Sequence, residues 1–317
     1  MKKRTHILAL LLTMLAALSC TNDMNEVFYE ASLSFNPAII KHTRSNTEGY
    51  PLDRPFAVWA YTLPTGKCWA QDSLSADLYL SKEIITYKGG SWQPFMPFIW
   101  SSNRLLTVAA CSPIEAATGY TRERGISIYD YDIIADGSDL MFTRTQPDID
   151  NRFNNGCVSL PFISTFTKLE FRVRSTTHHG RNVRLKSIYM DSIAHRGTFH
   201  SLPEECWQTT GERVKMEFFS GDKAIEKRFQ DLCTCIAMPQ QPQQPIKMLI
   251  DIYNDAGEKI IADRILTSRL NIESWGVGKH NTYQTQHCRH TSLELSHLPN
   301  RLQYSRHYLY ALTHDVM

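Results

Sequence analysis

The chain has no surplus of charge of either sign: 34 Lys and Arg stand against 32 Asp and Glu, a net charge of +2 over 317 residues. Nothing global therefore draws it towards nucleic acid, whose affinity rests on a basic excess. A disulfide framework is lacking too. Setting Cys20 aside, Cys68, Cys111, Cys157, Cys206, Cys233, Cys235 and Cys288 form an odd, scattered set, whereas a stapled scaffold shows an even set at regular spacings. Several lie in apolar strand-like runs, where a free thiol packs as a small hydrophobe, and core positions are expected for five of these seven.

Catalytic and metal signatures are equally scarce. There is no G-x-S-x-G elbow on which an α/β serine hydrolase could be built. Cys233 and Cys235 form a C-x-C pair with no second such element, so core packing is expected rather than zinc. His178 and His179 precede Gly180 and read as a solvated turn, and His287, His290, His297, His307 and His314 fit no ligand spacing. GVGKH at 276–280 lacks the glycine spacing and the hydroxyl residue of a phosphate loop. Lys168, Arg172, Arg174, Arg181, Arg184 and Lys186 read as a charged solvent face. No cofactor, metal or catalytic residue is expected.

Long apolar runs are missing as well. Ile7 to Ala17, broken only by Thr13, follows Lys2, Lys3 and Arg4; its length of about eleven residues falls well short of the roughly 20 that a spanning helix needs. The charged start and short apolar run make a secretion signal. The stretch ALSC then puts a small residue before Cys20, the pattern that bacterial lipoproteins present for acylation, although Leu18 sits two places before the cysteine rather than three. Residues 1–19 are therefore expected to be a lipoprotein signal peptide, and Cys20 the lipidated first residue of the mature chain. Two or three acyl chains tether a protein to a membrane without its crossing.

What is abundant is alternation of period two. In VFYEASLSF, Val27, Tyr29, Ala31, Leu33 and Phe35 fall on one side and Glu30, Ser32 and Ser34 on the other, as in a half-buried strand. RPFAVWAYTLP is apolar on both sides between Pro55 and Pro64 and reads as a central strand. Further strands are expected at Leu105–Cys111, Gly125–Ile134, Lys168–Arg174, Val183–Met190, Val214–Phe219, Leu232–Met238, Lys247–Tyr253, Ile260–Leu266 and His280–Thr285. The fold class is all-β, of sandwich type. KLEFRVRSTTHHGRNVRLKSIYM reads as a hairpin, and the polar run TRTQPDIDNRFNNG at 143–156 as a domain boundary. PQQPQQP at 239–245 is expected to be a loop inside the second domain.

The landmarks come in an order: TRSNT at 43–47, FAVWAYT at 56–62, Trp92, Trp100, LTVAACSP at 106–113, DLM at 139–141, KLEFRV at 168–173, IAMPQ at 236–240 and WGVGKHNTYQTQ at 275–286. Over residues 20–286 this resembles the fimbrillin family of bacterial surface lipoproteins, the subunits and accessory proteins of strand-exchanged pili. Ser164 and Phe166 depart from the His and Leu usual there. The resemblance implies two tandem transthyretin-like β-sandwich domains with Greek-key connections, at 20–150 and 151–286. Residues 287–317, a divergent His-containing tail, do not read like the family's final strands.

It further implies a non-enzymatic pilus subunit, anchor or tip at the outer membrane or in a fimbrium. Such a protein meets other pilin-like subunits by strand exchange, the membrane through its lipid, and a host or bacterial receptor. In the family a protease cuts after an arginine beyond the first strand. Here that points to Arg44 and Ser45, with Val27, Tyr29, Leu33 and Phe35 on the displaceable strand. The alternative is a surface glycan-binding lipoprotein using Trp59, Trp69, Trp92, Trp100, Trp207 and Trp275 as platforms. Burial of those rings separates the two.

Overall fold

The computed structural model describes residues 29–40, 47–116, 118–175, 182–268, 274–287 and 293–299. Cys20, Val27, Arg44, Ser45, His178, His179, Arg181 and Cys288 lie outside them. The first part of the chain carries β1 (Glu30–Ser32), β2 (Ser34–Ile40), β3 (Thr47–Gly49), β4 (Phe56–Pro64), α1 (Trp69–Asp72), β5 (Asp77–Lys88), β6 (Ser91–Pro94) and β7 (Ile99–Ser101). It continues through β8 (Arg104–Ser112), β9 (Thr118–Thr121), β10 (Gly125–Asp132), α2 (Ile133–Asp136), β11 (Met141–Phe142), β12 (Gln146–Asp150), α3 (Asn151–Asn154) and β13 (Cys157–Ser164). Then follow β14 (Thr167–Ser175), β15 (Asn182–Ile193), β16 (Arg196–His200), β17 (Cys206–Thr210), β18 (Val214–Ala224), β19 (Gln230–Ala237), β20 (Ile246–Tyr253), β21 (Lys259–Ser268), β22 (His280–His287) and β23 (Leu293–Pro299). The protein is all-β, as its alternation requires.

The main sheet of the first unit runs β11-β13-β2-β6-β5-β4-β8-β12, with β3 added to β2. Met141 of β11 stands opposite Ser164 of β13 and also opposite Ser112 of β8, which closes the sheet into a barrel. β4 lies between β5 and β8 and is buried on both faces. Phe56, Val58 and Ala60 enter the barrel interior, while Ala57 and Trp59 face a second core under the small sheet β17-β16-β10-β9. The two-sided apolar sequence of this strand reflects those two cores.

The second unit packs β19-β14-β22-β23 against β18-β15-β20-β21 over one core that includes Leu169, Phe171, Leu185, Ile188, Met248 and Tyr283. The expected hairpin of 168–190 is corrected here: β14 and β15 belong to opposite sheets and face each other across the core instead of pairing side by side. Both strands alternate, and alternation is satisfied equally by a neighbour beside a strand and by one facing it. PQQPQQP lies in the β19–β20 connection, where Gln240 accepts from Ala194 N at 3.0 Å and its backbone carbonyl accepts from Trp275 N at 2.9 Å.

The boundary expected at 143–156, and with it the division at 150/151, moves along the chain. β13 lies beyond it yet runs parallel to β2 inside the first barrel, from Cys157 opposite Ser34 to Phe162 opposite Ile39. Val158, Leu160 and Phe162 send their side chains into the barrel core, so pairing carries the first unit to Ser164. The polar run itself holds β12 and one short helix, α3, capped by Asp150, which accepts from Arg152 N at 2.9 Å. β16 and β17 also return from later in the chain to pair beside β10. Within the tail, Leu293–Pro299 forms a strand paired antiparallel with β22.

Candidate assembly site

β2 is the strand on which displacement would act. Leu33 and Phe35, 2% and 3% exposed, enter the barrel core beside Tyr50, Phe56, Trp92 and Phe162. Phe35 meets Phe56 edge-on at 6.2 Å between ring centroids, and Phe56 lies 5.3 Å from both Trp92 and Phe162. Tyr50 closes the cluster 5.0 Å from Phe162, and its hydroxyl donates to Ser112 Oγ at 2.6 Å. Burial pushes the Tyr50 phenol up to about 12, against the opposing pull of that hydrogen bond.

The ladders holding β2 are unequal. On one side six consecutive residues pair with β13. On the other, β6 meets it only at Phe35 opposite Trp92, and β3 only from Ala38 opposite Gly49 onward. Between those two partners sits Pro37, which has no N–H to offer a ladder. Arg44 and Ser45 follow β2 in the chain, between it and β3, in residues 41–46 outside the description.

Before β2 the chain crosses to a different partner. β1 pairs with β7, Ala31 opposite Trp100, and Tyr29 N donates to Ser102 Oγ at 2.8 Å. Leu33 N then donates to Phe98 O at 2.8 Å and Ser34 N to Gly156 O at 2.9 Å. The expectation that Tyr29 shares the buried side of Leu33 and Phe35 is corrected: its side chain is 67% exposed. The change of partner at Leu33 breaks the strand, and period-two facing does not carry across such a break.

The other candidates resolve plainly. Cys233 and Cys235 stand opposite Phe171 and Leu169 and pack against the second core, where burial raises their thiols to about 11 and about 12. Cys111 is buried and Cys68 half-buried, whereas Cys157 and Cys206 are the two exposed cysteines among the described residues. Among the described residues no group of three or more His, Cys, Asp or Glu is placed to hold a metal ion. Arg172 pairs with Asp231 at 2.6 Å, Arg184 with Asp222 at 2.7 Å, and Arg174 lies 4.3 Å over the Phe229 ring. Trp59, Trp92, Trp100 and Trp275 are buried. Trp69 and Trp207 are half-buried, and Trp207 stacks on Phe166 at 5.2 Å. Ser164, the other departure, donates to Asp139 Oδ1 at 2.5 Å.

No protein-family model matches the chain, and no curated protein is similar to it in sequence. Solved structures do share its fold. A fimbrial protein from Bacteroides vulgatus ATCC 8482 superposes with a TM-score of 0.61 at 12% identity, over 84% of this chain and 99% of that one. A putative cell adhesion protein from Bacteroides uniformis ATCC 8492 gives 0.51 at 11% identity, over 85% and 97%. Another from Bacteroides ovatus ATCC 8483 gives 0.50 at 12%, over 90% and 100%. The neighbours in fold are thus of the kind that the fimbrillin resemblance implies. No described helix is long and apolar enough to cross a membrane.

Proposed function

We propose that the chain is a non-enzymatic, fimbrillin-like surface lipoprotein, a pilus subunit or its anchor or tip, that assembles by β-strand addition. In this reading Cys20 carries the lipid, the two sandwiches are transthyretin-like with Greek-key connections, and a cut between Arg44 and Ser45 releases β1 and β2. The observation that carries it is the seat of Leu33 and Phe35 in an aromatic groove whose β2 is fully laddered on one side only. Their burial contributes about 3 to 6 kcal/mol at roughly 1.5 to 3 per side chain. A whole domain is stable by about 5 to 15 kcal/mol, so a barrel without β2 is marginal until another strand fills the slot.

Four of the six tryptophans are buried and Trp69 and Trp207 are half-buried, which favours this reading over the glycan-platform alternative. Brief trypsin treatment of the purified protein tests the main reading. It should yield a new N-terminus at Ser45 and concentration-dependent oligomers, and Arg44→Ala should yield neither. Monomers that survive the cut with unchanged thermal stability would count against strand addition.

A further inference from the structure

The small sheet β17-β16-β10-β9 turns one face, with Ile126, Ile128 and Phe199, to the core beneath it and the other to solvent. On the outer face Gly119, Ser127, His200 and Cys206 form one row across the four strands. Ser127 Oγ lies 2.8 Å from His200 Nδ1, and both residues are buried although they face outwards. The cover is Tyr129. A methyl group on Gly119 would meet Tyr129 Cε2 and Oη at 3.4 Å, and the ring centroid lies 6.5 Å from that of His200. Tyr129 stands two residues beyond Ser127 in β10, so its ring leans back over that serine and lies down on the sheet.

A bulge presents this ring. Ile128 stands opposite Phe199 and Tyr131 opposite Gly197, so Tyr129 and Asp130 together face the single residue Thr198, and Asp130 takes φ +49°. Bulges re-aim side chains, and this one exposes two in succession. Tyr129 is 44% exposed. Beside it Arg196 Nε and Nη2 donate to the two carboxylate oxygens of Asp130 at 2.8 and 2.6 Å. Gln208, opposite Thr198 on β17, adds an exposed amide. The solvent side of the ring is apolar and carries the negative face of its quadrupole, which attracts the C–H face of a sugar. The fork and the amide supply donors and acceptors for hydroxyls. Their ion pair cancels its own charge, so the fork suits a neutral ligand. A ring already laid on the sheet loses little freedom on binding, unlike Phe95 and Phe153, which are 87% and 84% exposed.

We propose that this face binds a neutral hexopyranose of a glycan, which stacks on Tyr129 and hydrogen-bonds through neighbouring hydroxyls to Asp130, Arg196 and Gln208. The site goes beyond strand addition and shares no residue with it, so either can fail alone.

The test applies the purified full chain to a printed array of neutral and anionic glycans, then titrates the strongest neutral one by calorimetry. Wild type should bind glycans that end in a neutral hexopyranose. Tyr129→Ala should weaken binding at least about tenfold, as loss of a central aromatic contact does. Tyr129→Phe, which keeps the ring, should bind nearly as wild type, Arg196→Gln should bind several-fold more weakly, and Phe153→Ala should bind unchanged. Because Tyr129 also covers Ser127 and His200, circular dichroism melts check that each variant folds. If Tyr129→Ala does not, Arg196→Gln, at an exposed side chain, carries the test. Absence of binding to every neutral glycan on the array overturns the proposal. So does binding that folded Tyr129→Ala or Arg196→Gln leaves intact, or that Phe153→Ala weakens equally.

Discussion

A methyl group on Gly156 would stand 2.5 Å from the Ser32 carbonyl oxygen, so the close approach of these two residues fixes where the first strand enters the barrel. Gly156 also has φ +76°, in the left-handed region. Gly156→Ala combines a backbone penalty of about 1 to 2 kcal/mol with overpacking of about 1 to 3, roughly 2 to 5 in all. Urea unfolding should show that loss. Residues 29–40 should become the first protease target, whereas uniform susceptibility along the chain would mean that the contact does not position the strand.

Phe35 and Tyr29 should behave oppositely although they belong to one alternating run. Phe35→Ala removes a ring from the aromatic cluster and is expected to cost about 3 to 5 kcal/mol. Tyr29→Ala, at an exposed side chain, should stay within about 0.5 kcal/mol. Thermal and denaturant melts of the pair check this, and equal losses would contradict the placement of Tyr29.

Asp139 gives a dependence on pH. Burial raises its carboxyl above the usual carboxylate range, against the Ser164 hydroxyl that lowers it. A carboxyl whose folded pKa exceeds its unfolded value favours folding while protonated, and that contribution is lost as pH rises through the folded value. Asp139→Asn keeps an acceptor for Ser164 without the charge. The variant should melt higher than the wild type near pH 7, and the gap should close below about pH 4, where the unfolded carboxyl is itself protonated. A gap that widens on acidification would reverse the argument.

Thiol labelling separates the cysteines by burial. Cys157 and Cys206, both exposed, should react with a maleimide in the native protein. Cys111, 1% exposed with its thiol pushed up to about 11, and Cys235 should react only on unfolding. Peptide mapping after a short pulse reads this directly, and early label on Cys111 would show that the outer core of the barrel opens.

The strands were legible wherever one strand kept an unbroken pattern of buried residues, whether it served one core or, like β8, two. β8, β14, β19, β20 and β22 all fall where alternation puts them. β5 was not legible because bulges interrupt its register against β4 and Lys82 takes φ +54°, so Leu80 and Ile85 point inward across a broken period. β13 alternates cleanly, but only its parallel pairing with β2, over a hundred residues away in sequence, assigns it to the first barrel. Period two reports which side chains are buried, never which strand is beside them. The candidate site was legible in Leu33 and Phe35 and not in Tyr29, whose exposure depends on a change of partner that no local pattern encodes.

The slot that holds β2 has a direction. Its wall on the β13 side takes a parallel neighbour, and its β6 and β3 side takes antiparallel ones. The two kinds of ladder space their bonds differently, so a strand inserted backwards would mismatch both walls at once. A strand that took the place of β2 would enter with the same heading. Units linked through such a slot would all point one way, giving a filament two unlike ends, one with an empty slot and one with an unspent strand.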